Sequence, residues 1–366
     1  MKQESEELRA LVDYLARALR AENSQAIGAN SEKPATSGNP AVLRTEGTIQ
    51  YLSPQPLDYW LWQNWRIRHV GGGLNGRLFR ATGPAGDVAV KFAIRDERDR
   101  AGREWAALSM LAGKSATLAP RPLLLELDRY PHHVIVQSWL DGVSTNATPA
   151  DDAAWEALSR HLLEVHSLPM SPVHPPIRPV VLSVSSASDA LRAISFQHSC
   201  MPRTDWSQAV NDLVDRALSL TWPRWPSPPL CFCRGDPNIR NFIRRPLSWA
   251  SVDWEYSGWG DPAFEIADFL AHAAHVTWPR RQKSLLVNLY CARSGDTTIR
   301  ERIPVYETLM LVWWTLRLGR LLPEARSGAD TRLAGLSHYW YEEKLELQQQ
   351  YLQLAAAALA DREFVL

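Results

Sequence analysis

The sequence predicts an α+β chain in two parts: a small β-sheet lobe carrying one helix, then a larger and mainly helical lobe. Two observations carry this reading. Between residues 65 and 136, short apolar runs of period two alternate with glycine-bearing turns, and one helical pattern interrupts them. From residue 151 onward the helical period dominates, and strand-like runs return only near 229–245 and 249–254. A length of 366 residues suits two packed units better than a single core.

In chain order, residues 5–20 place Leu8, Leu11, Val12, Leu15 and Leu19 at helical spacing. An amphipathic helix of this kind needs a surface. It either clasps the body of its own chain or docks a partner, a second copy in a homodimer included. Residues 28–47 are rich in Gly, Ser, Asn and Pro and read as a linker. The expected organisation is therefore a helix at 1–27, a linker at 28–63, a first lobe at 64–140 and a second lobe at 141–366. In the first lobe, 66–70 runs into glycines, 76–81 alternates, 83–86 forms a turn and 88–94 is a strand. Residues 96–111 then form a helix with Trp105, Leu108 and Leu111 on its apolar face, and 134–136 is a buried strand. In the second lobe, helices are expected at 155–166, 205–220, 263–275, 305–322 and 337–360.

Composition excludes several classes. Lys plus Arg and Asp plus Glu both number 40, so the chain as a whole lacks the basic excess of a nucleic-acid binder. Cys200, Cys231, Cys233 and Cys291 form no disulfide framework and no paired CxxC zinc pattern. Cys231 and Cys233 alternate along an apolar run, which suits two thiols on one face of a buried strand. The first residues are acidic and lack the apolar run of a signal peptide. The most apolar stretch, 306–322, contains Glu307, Arg317 and Arg320 and reads as a core helix, not a membrane span. A cytoplasmic protein is the expectation.

The segment Cys233-Arg234-Gly235-Asp236-Pro237-Asn238-Ile239-Arg240-Asn241 places an aspartate and an asparagine five residues apart after an apolar strand. A carboxylate there can take or orient the proton of an attacking hydroxyl, while the amide oxygen holds a cation. Seventeen residues beyond Asp236, Asp253 follows a second strand-like run. Two carboxylates and an amide converging across one hairpin form a more specific signal than either half.

The order Arg-Gly-Asp-x4-Asn, Val-Asp-Trp-Glu and Gly-Asp-Pro over 234–271 resembles the aminoglycoside phosphotransferase and choline kinase family. Its signature is His-Gly-Asp-x4-Asn followed by Ile-Asp-Trp-Glu and Gly-Asp-Pro. The likeness extends over about 64–275 and includes the helix ending in Leu162, Leu163, His166 and Pro169, where His166 reads as structural.

The resemblance implies a protein-kinase-like bilobal fold that transfers a phosphoryl group from ATP, with Mg2+, to a hydroxyl of a small molecule. Asp236 would be the catalytic base or hydroxyl-orienting group, and Asn241 and Asp253 the magnesium ligands. Gly71, Gly72, Gly73 and Asn75 would cover the phosphates. Lys91 would bind them, held by Glu104, and Gln137 and Trp139 would border the adenine. Glu255 would face metal or substrate, Asp261 with Pro262 would cap the next helix, and Glu265 and Asp268 would serve structure. Arg234 stands where the family has histidine and is expected to bond a backbone carbonyl or carboxylate beside the loop. The resemblance leaves one alternative open, a nucleotide-binding pseudokinase acting through partner docking. Trp254, Trp259, Trp278, Trp313 and Trp314 would either fill the core or offer ring faces to a substrate.

Overall fold

The computed structural model describes residues 50–52, 59–62, 65–71, 76–83, 86–114, 117–169, 173–327, 333 and 336–363, with most of 10–18. The chain forms two compact units, residues 1–141 with 173–176, and residues 142–172 with 177–366.

The first unit is built on a seven-stranded antiparallel sheet of β1 (Gln50–Leu52), β2 (Tyr59–Trp62), β3 (Trp65–Gly71), β4 (Gly76–Gly83), β5 (Gly86–Ala93), β6 (Pro122–Glu126) and β7 (His133–Ser138). Its spatial order is β1-β2-β3-β4-β5-β7-β6. Alternation sorts the side chains: Val88, Val90 and Phe92 of β5 join Ile67, Phe79, Val134 and Val136 in one core. Ala93 and Ile135 turn to the other face and meet Ala101 and Trp105 of α1 (Arg100–Ala112).

That first core is closed by the described residues within 10–18, which are helical. Leu11, Tyr14 and Leu15 are fully buried in it. Each such burial contributes about 1.5–3 kcal/mol. At the rim, Arg17 Nη1 donates to Glu126 Oε2 at 3.0 Å, and Arg129 pairs with Asp13 at 2.7 Å. The helix therefore lies on the sheet of its own chain. Leu8, Val12 and Leu19 lie outside the residues whose side chains are described.

The second unit contains α2 (Asp152–His166), α3 (Ala187–Ser199), α4 (Gln208–Ser219), α5 (Pro262–Ala271), α6 (Arg280–Cys291), α7 (Ile299–Ser327) and α8 (His338–Glu363). Short strands lie among them: β8 (Val143–Ser144), β9 (Cys231–Cys233), β10 (Phe242–Arg244), β11 (Trp249–Ser251) and β12 (Gly258–Gly260). β10 pairs with β11 and β8, and β9 pairs with β12, all antiparallel. The hairpin expected between Asp236 and Asp253 is the β10–β11 pair, with Phe242 opposite Ser251.

Three differences from the sequence reading have physical causes. Helix α3 was not expected, because its buried face is Ala187, Ala190, Ile194 and Gln197, too small and mixed to announce a period. Helix α6 was not expected either, since it buries only Leu286 and Tyr290. Helix α7 was expected at 305–322, a span bounded by Pro304 and Pro323, yet it runs through both. Proline costs about 3 kcal/mol inside a helix. Here Ile303, Val305, Leu309, Leu316 and Leu322 are buried along its length, and α5 and α8 pack on it, which outweighs that cost.

Helix α5, which carries several acidic groups, is fixed at its N-terminus. Asp261 caps it by accepting from Ala263 N at 2.9 Å, and Pro262 follows as the first helical residue. The same carboxylate receives Arg302 Nη2 at 2.9 Å and Tyr306 OH at 3.0 Å. Arg302 also reaches Asp296 at 2.8 Å. This buried network leaves no carboxylate oxygen of Asp261 unbonded. Among the described residues, no helix is long and apolar enough to cross a membrane.

Candidate active site

Asp236 lies three residues beyond the end of β9, after Arg234 and Gly235. Gly235 has φ +69°, and a Cβ there would lie 2.5 Å from Val180 Cγ2 and 2.6 Å from the Tyr256 carbonyl oxygen. Only glycine fits that turn without displacing its neighbours. The Asp236 side chain is then held by its own loop: Oδ2 accepts from Asn241 Nδ2 at 2.8 Å and Oδ1 from Asn238 N at 3.2 Å. The five-residue spacing thus joins the two groups directly. With its amide nitrogen on Asp236, Asn241 has its oxygen for a cation.

Asp253 lies two residues beyond β11, at φ +63°. A left-handed non-glycine residue costs about 1–2 kcal/mol and persists where surrounding structure imposes it. Val252 N donates to Asn241 O at 2.9 Å, which ties this turn to the loop bearing Asn241. Hard oxygens from Asn241 and Asp253 are the donor set that suits magnesium.

Arg234 meets its expectation. Its guanidinium donates to the carbonyls of Val252 at 2.9 Å, Asp236 at 3.1 Å and Asp253 at 3.4 Å. It also lies between the rings of Phe242 and Trp254, 4.7 and 4.8 Å from their centroids. One buried cation therefore joins the loop of Asp236 to the turn of Asp253. Burial, reinforced by Asp253 and opposed by Arg234, lifts the Asp236 carboxyl to about 6.

Behind the loop, Gly235 N donates to Glu265 Oε1 at 2.9 Å. Glu265 Oε2 meets His166 Nε2 at 2.5 Å, and His166 Nδ1 meets Tyr290 OH at 2.6 Å. Burial alone would raise Glu265, but the bonds from His166 and Gly235 outweigh it and hold the carboxyl below its usual range. His166 and Glu265 thus brace the turn before Asp236. Tyr290 escaped that reading because nothing local marks a tyrosine on a weakly patterned helix. Asp268, one turn further along α5, is pushed up to about 8 by burial, with Asp236 and Glu265 adding to the effect. Glu255 is buried beside Trp254.

In the first unit, Lys91 Nζ donates to Glu104 Oε2 at 2.7 Å, with Glu104 fully buried. The strand lysine and the helix glutamate are brought together. Gly71 ends β3 at φ +127°, whereas Gly72, Gly73 and Asn75 lie outside the described residues. Gln137 is buried on β7 opposite Ala89, and Trp139 N donates to Asp87 O at 2.9 Å. That amide is therefore committed to the sheet, and the Trp139 ring carries Arg80 at 4.4 Å.

The tryptophans divide. Trp254 is fully buried and stacks on Phe232 at 5.7 Å, while Trp278 packs edge-on against Trp155 at 5.5 Å. Both belong to the core. Trp259, Trp313 and Trp314 are half-buried.

Solved structures share this architecture. A putative aminoglycoside phosphotransferase from Ralstonia eutropha superposes with a TM-score of 0.58 at 14% identity, covering 81% of this chain and 92% of that one. A choline/ethanolamine kinase family protein from Mesorhizobium loti gives 0.51 at 19% identity, covering 80% and 92%. The GDP and kanamycin complex of an APH(2'') enzyme gives 0.57 at 15% identity, covering 78% and 92%. At these identities the likeness establishes the protein-kinase-like fold. No curated protein sequence matches the chain. Residues 66–306, about two thirds of the chain and the span that holds Lys91, Glu104, Asp236, Asn241 and Asp253, match the profile of the phosphotransferase enzyme family (APH). The chain belongs to that family.

Proposed function

We propose that the protein transfers the γ-phosphoryl group of ATP to a hydroxyl of a small cationic or neutral polyhydroxylated molecule. The observation that carries this is Asp236, held at its tip by Asn241 and by Asn238 in a buried setting, with Asp253 near enough to raise its pKa. A carboxylate so fixed can orient the acceptor hydroxyl and take its proton as the bond to phosphorus forms. Asn241 and Asp253 would hold magnesium, which supplies charge neutralisation on the phosphates when bound. Lys91, oriented by Glu104, would hold the nucleotide phosphates. Arg234 keeps the two acidic loops in register and does not touch substrate.

The acceptor class follows from charge. Asp236, Asp253 and Glu255 gather acidic groups in one unit, and their field favours cations and neutral polyols over anions. The solved neighbours that carry kanamycin, or belong to the choline/ethanolamine kinases, are consistent with an amine-bearing acceptor.

The test is ADP release with ATP and magnesium against matched panels of amino-sugars, amino-alcohols, neutral sugars and sugar acids. Amino-sugars or amino-alcohols should be turned over best. Preference for sugar acids would overturn the charge argument. Asp236→Asn should lower kcat by about 10²–10⁴ with nucleotide affinity nearly unchanged. Unaltered turnover in that variant would remove Asp236 from the mechanism.

A further inference from the structure

Behind the loop bearing Asp236, three side chains of different chemistry converge from elements far apart in sequence. His166 ends α2, Cys233 ends β9 and Glu265 lies in the first turn of α5. One ligand atom from each, an imidazole nitrogen, a sulfur and a carboxylate oxygen, lie within 4.8 Å of one another, and all three residues are buried. We propose that this cluster binds one thiophilic divalent cation of the zinc class, at a site separate from the magnesium ligands Asn241 and Asp253.

The donor set points to the class. Nitrogen, sulfur and oxygen together suit zinc or cobalt, whereas magnesium takes hard oxygens. The imidazole is already oriented for the task. Its Nδ1 is bonded to Tyr290 OH at 2.6 Å, so Nε2 is the atom presented to Glu265, as in metal-binding histidines whose second nitrogen is held by a neighbouring group. Charge balance also favours it. A thiolate and a carboxylate neutralise a dication, so an occupied site leaves no net charge in the interior.

There is room for a fourth ligand. A cavity of about 10 Å³, the size of one water, borders the cluster and is walled by Cys233, Gly235, Glu265 and Asp268. Asp268 Oδ1 is buried, and the Trp314 indole beside this carboxyl falls short of a hydrogen bond of good geometry to it. That oxygen can ligate the cation or accept from a water that does.

His166 Nε2 and Glu265 Oε2 lie 2.5 Å apart in a hydrogen bond. Binding sends the thiol proton to solvent and shifts the imidazole proton from Nε2 to Nδ1, which then donates to Tyr290 OH, so the ring stays a neutral ligand. The ligand atoms must then spread by roughly 1 Å to accommodate bonds of about 2.0–2.3 Å. Glu265 Oε1 stays on Gly235 N throughout. Because the site is closed, the cation enters by local opening, so binding should be slow.

The experiment uses the full chain, reduced and stripped of metal, equilibrated with cobalt(II) chloride. One cobalt per chain should bind with tetrahedral visible absorption and a near-ultraviolet thiolate-to-cobalt charge-transfer band, and added zinc should abolish both. Cys233→Ser should lose the charge-transfer band and bind at least about tenfold more weakly. Cys200→Ser, Cys231→Ser and Cys291→Ser should keep it. Should Cys233→Ser fail to fold, X-ray absorption on the zinc-loaded native protein decides, with one sulfur expected at about 2.3 Å among nitrogen and oxygen neighbours. No band in the native protein, a band that persists in folded Cys233→Ser, or a sulfur count other than one would each overturn the proposal.

Discussion

Replacing Arg234 by methionine isolates what this buried cation does. The side chain is 1% exposed, donates to the carbonyls of Val252, Asp236 and Asp253, and fills the space between Phe242 and Trp254. Methionine keeps much of the volume and removes every donor. The bonds at 2.9 and 3.1 Å are charge-assisted and contribute about 1.5–3 kcal/mol each, whereas the 3.4 Å contact adds little. Loss of the two ring contacts adds about 1 kcal/mol. Against this, the variant no longer desolvates a guanidinium, which recovers part of the total. The expected net loss is about 2–4 kcal/mol. Urea unfolding followed by tryptophan fluorescence should show a lower midpoint at unchanged slope. Turnover should fall more than tenfold, because Asp236 and Asp253 lose their common tie, while nucleotide affinity should change by only a few-fold. Arg234→His, with fewer donors, should fall between methionine and the native protein in both measurements. A destabilisation below about 1 kcal/mol in Arg234→Met, with native turnover, would refute the tie.

Three further outcomes are expected. The Asp236 carboxyl, raised to about 6, should impose an acid limb on kcat/KM that Asp236→Asn abolishes along with most activity. The sign for stability is the reverse of a salt-bridged aspartate. The folded state keeps this proton longer than the unfolded state, so stability falls as pH rises from about 4 to about 6, and Asp236→Asn should flatten that slope in calorimetric scans. Gly235→Ala, with its Cβ 2.5 Å from Val180 and 2.6 Å from the Tyr256 carbonyl, should cost about 2–4 kcal/mol by urea unfolding and slow turnover with it. Lys91→Met should weaken nucleotide use at least about tenfold in kcat/KM. It should also strand part of the charge of buried Glu104, so Lys91→Met/Glu104→Gln should melt above the single variant.

What the sequence made legible was local. Asp236 and Asn241 stand five residues apart, and the hydrogen bond between their side chains closes over that short stretch. The strand lysine and helix glutamate were reached through the family resemblance, and their contact too closes within one supersecondary unit. The brace behind the loop was legible only in part. His166, Glu265 and Tyr290 lie on three helices, and their meeting is set by packing, which no periodicity records. The resemblance marked His166 as structural, yet its partner on α6 was invisible because α6 shows so little of an apolar face. Arg234 was placed correctly as a support, but its span to Val252 and Asp253 depends on the return of β11, a tertiary fact. Helix α7 runs beyond its expected bounds through Pro304 and Pro323, because a strong local rule yields to a heavily buried surface.

The helix that closes the first core also has a consequence in time. Leu11, Tyr14 and Leu15 precede the strands they cover, and the core they complete includes Val134 and Val136, made roughly 120 residues later. At about 5–20 residues per second, the ribosome would deliver the last strand on the order of 10 s after the helix. For that interval the nascent chain carries the helix's apolar stripe unburied. Its clearance from chaperones and aggregates should therefore depend on translation speed between the helix and β7, and slow codons in that stretch should lower soluble yield more than the same codons placed after residue 138.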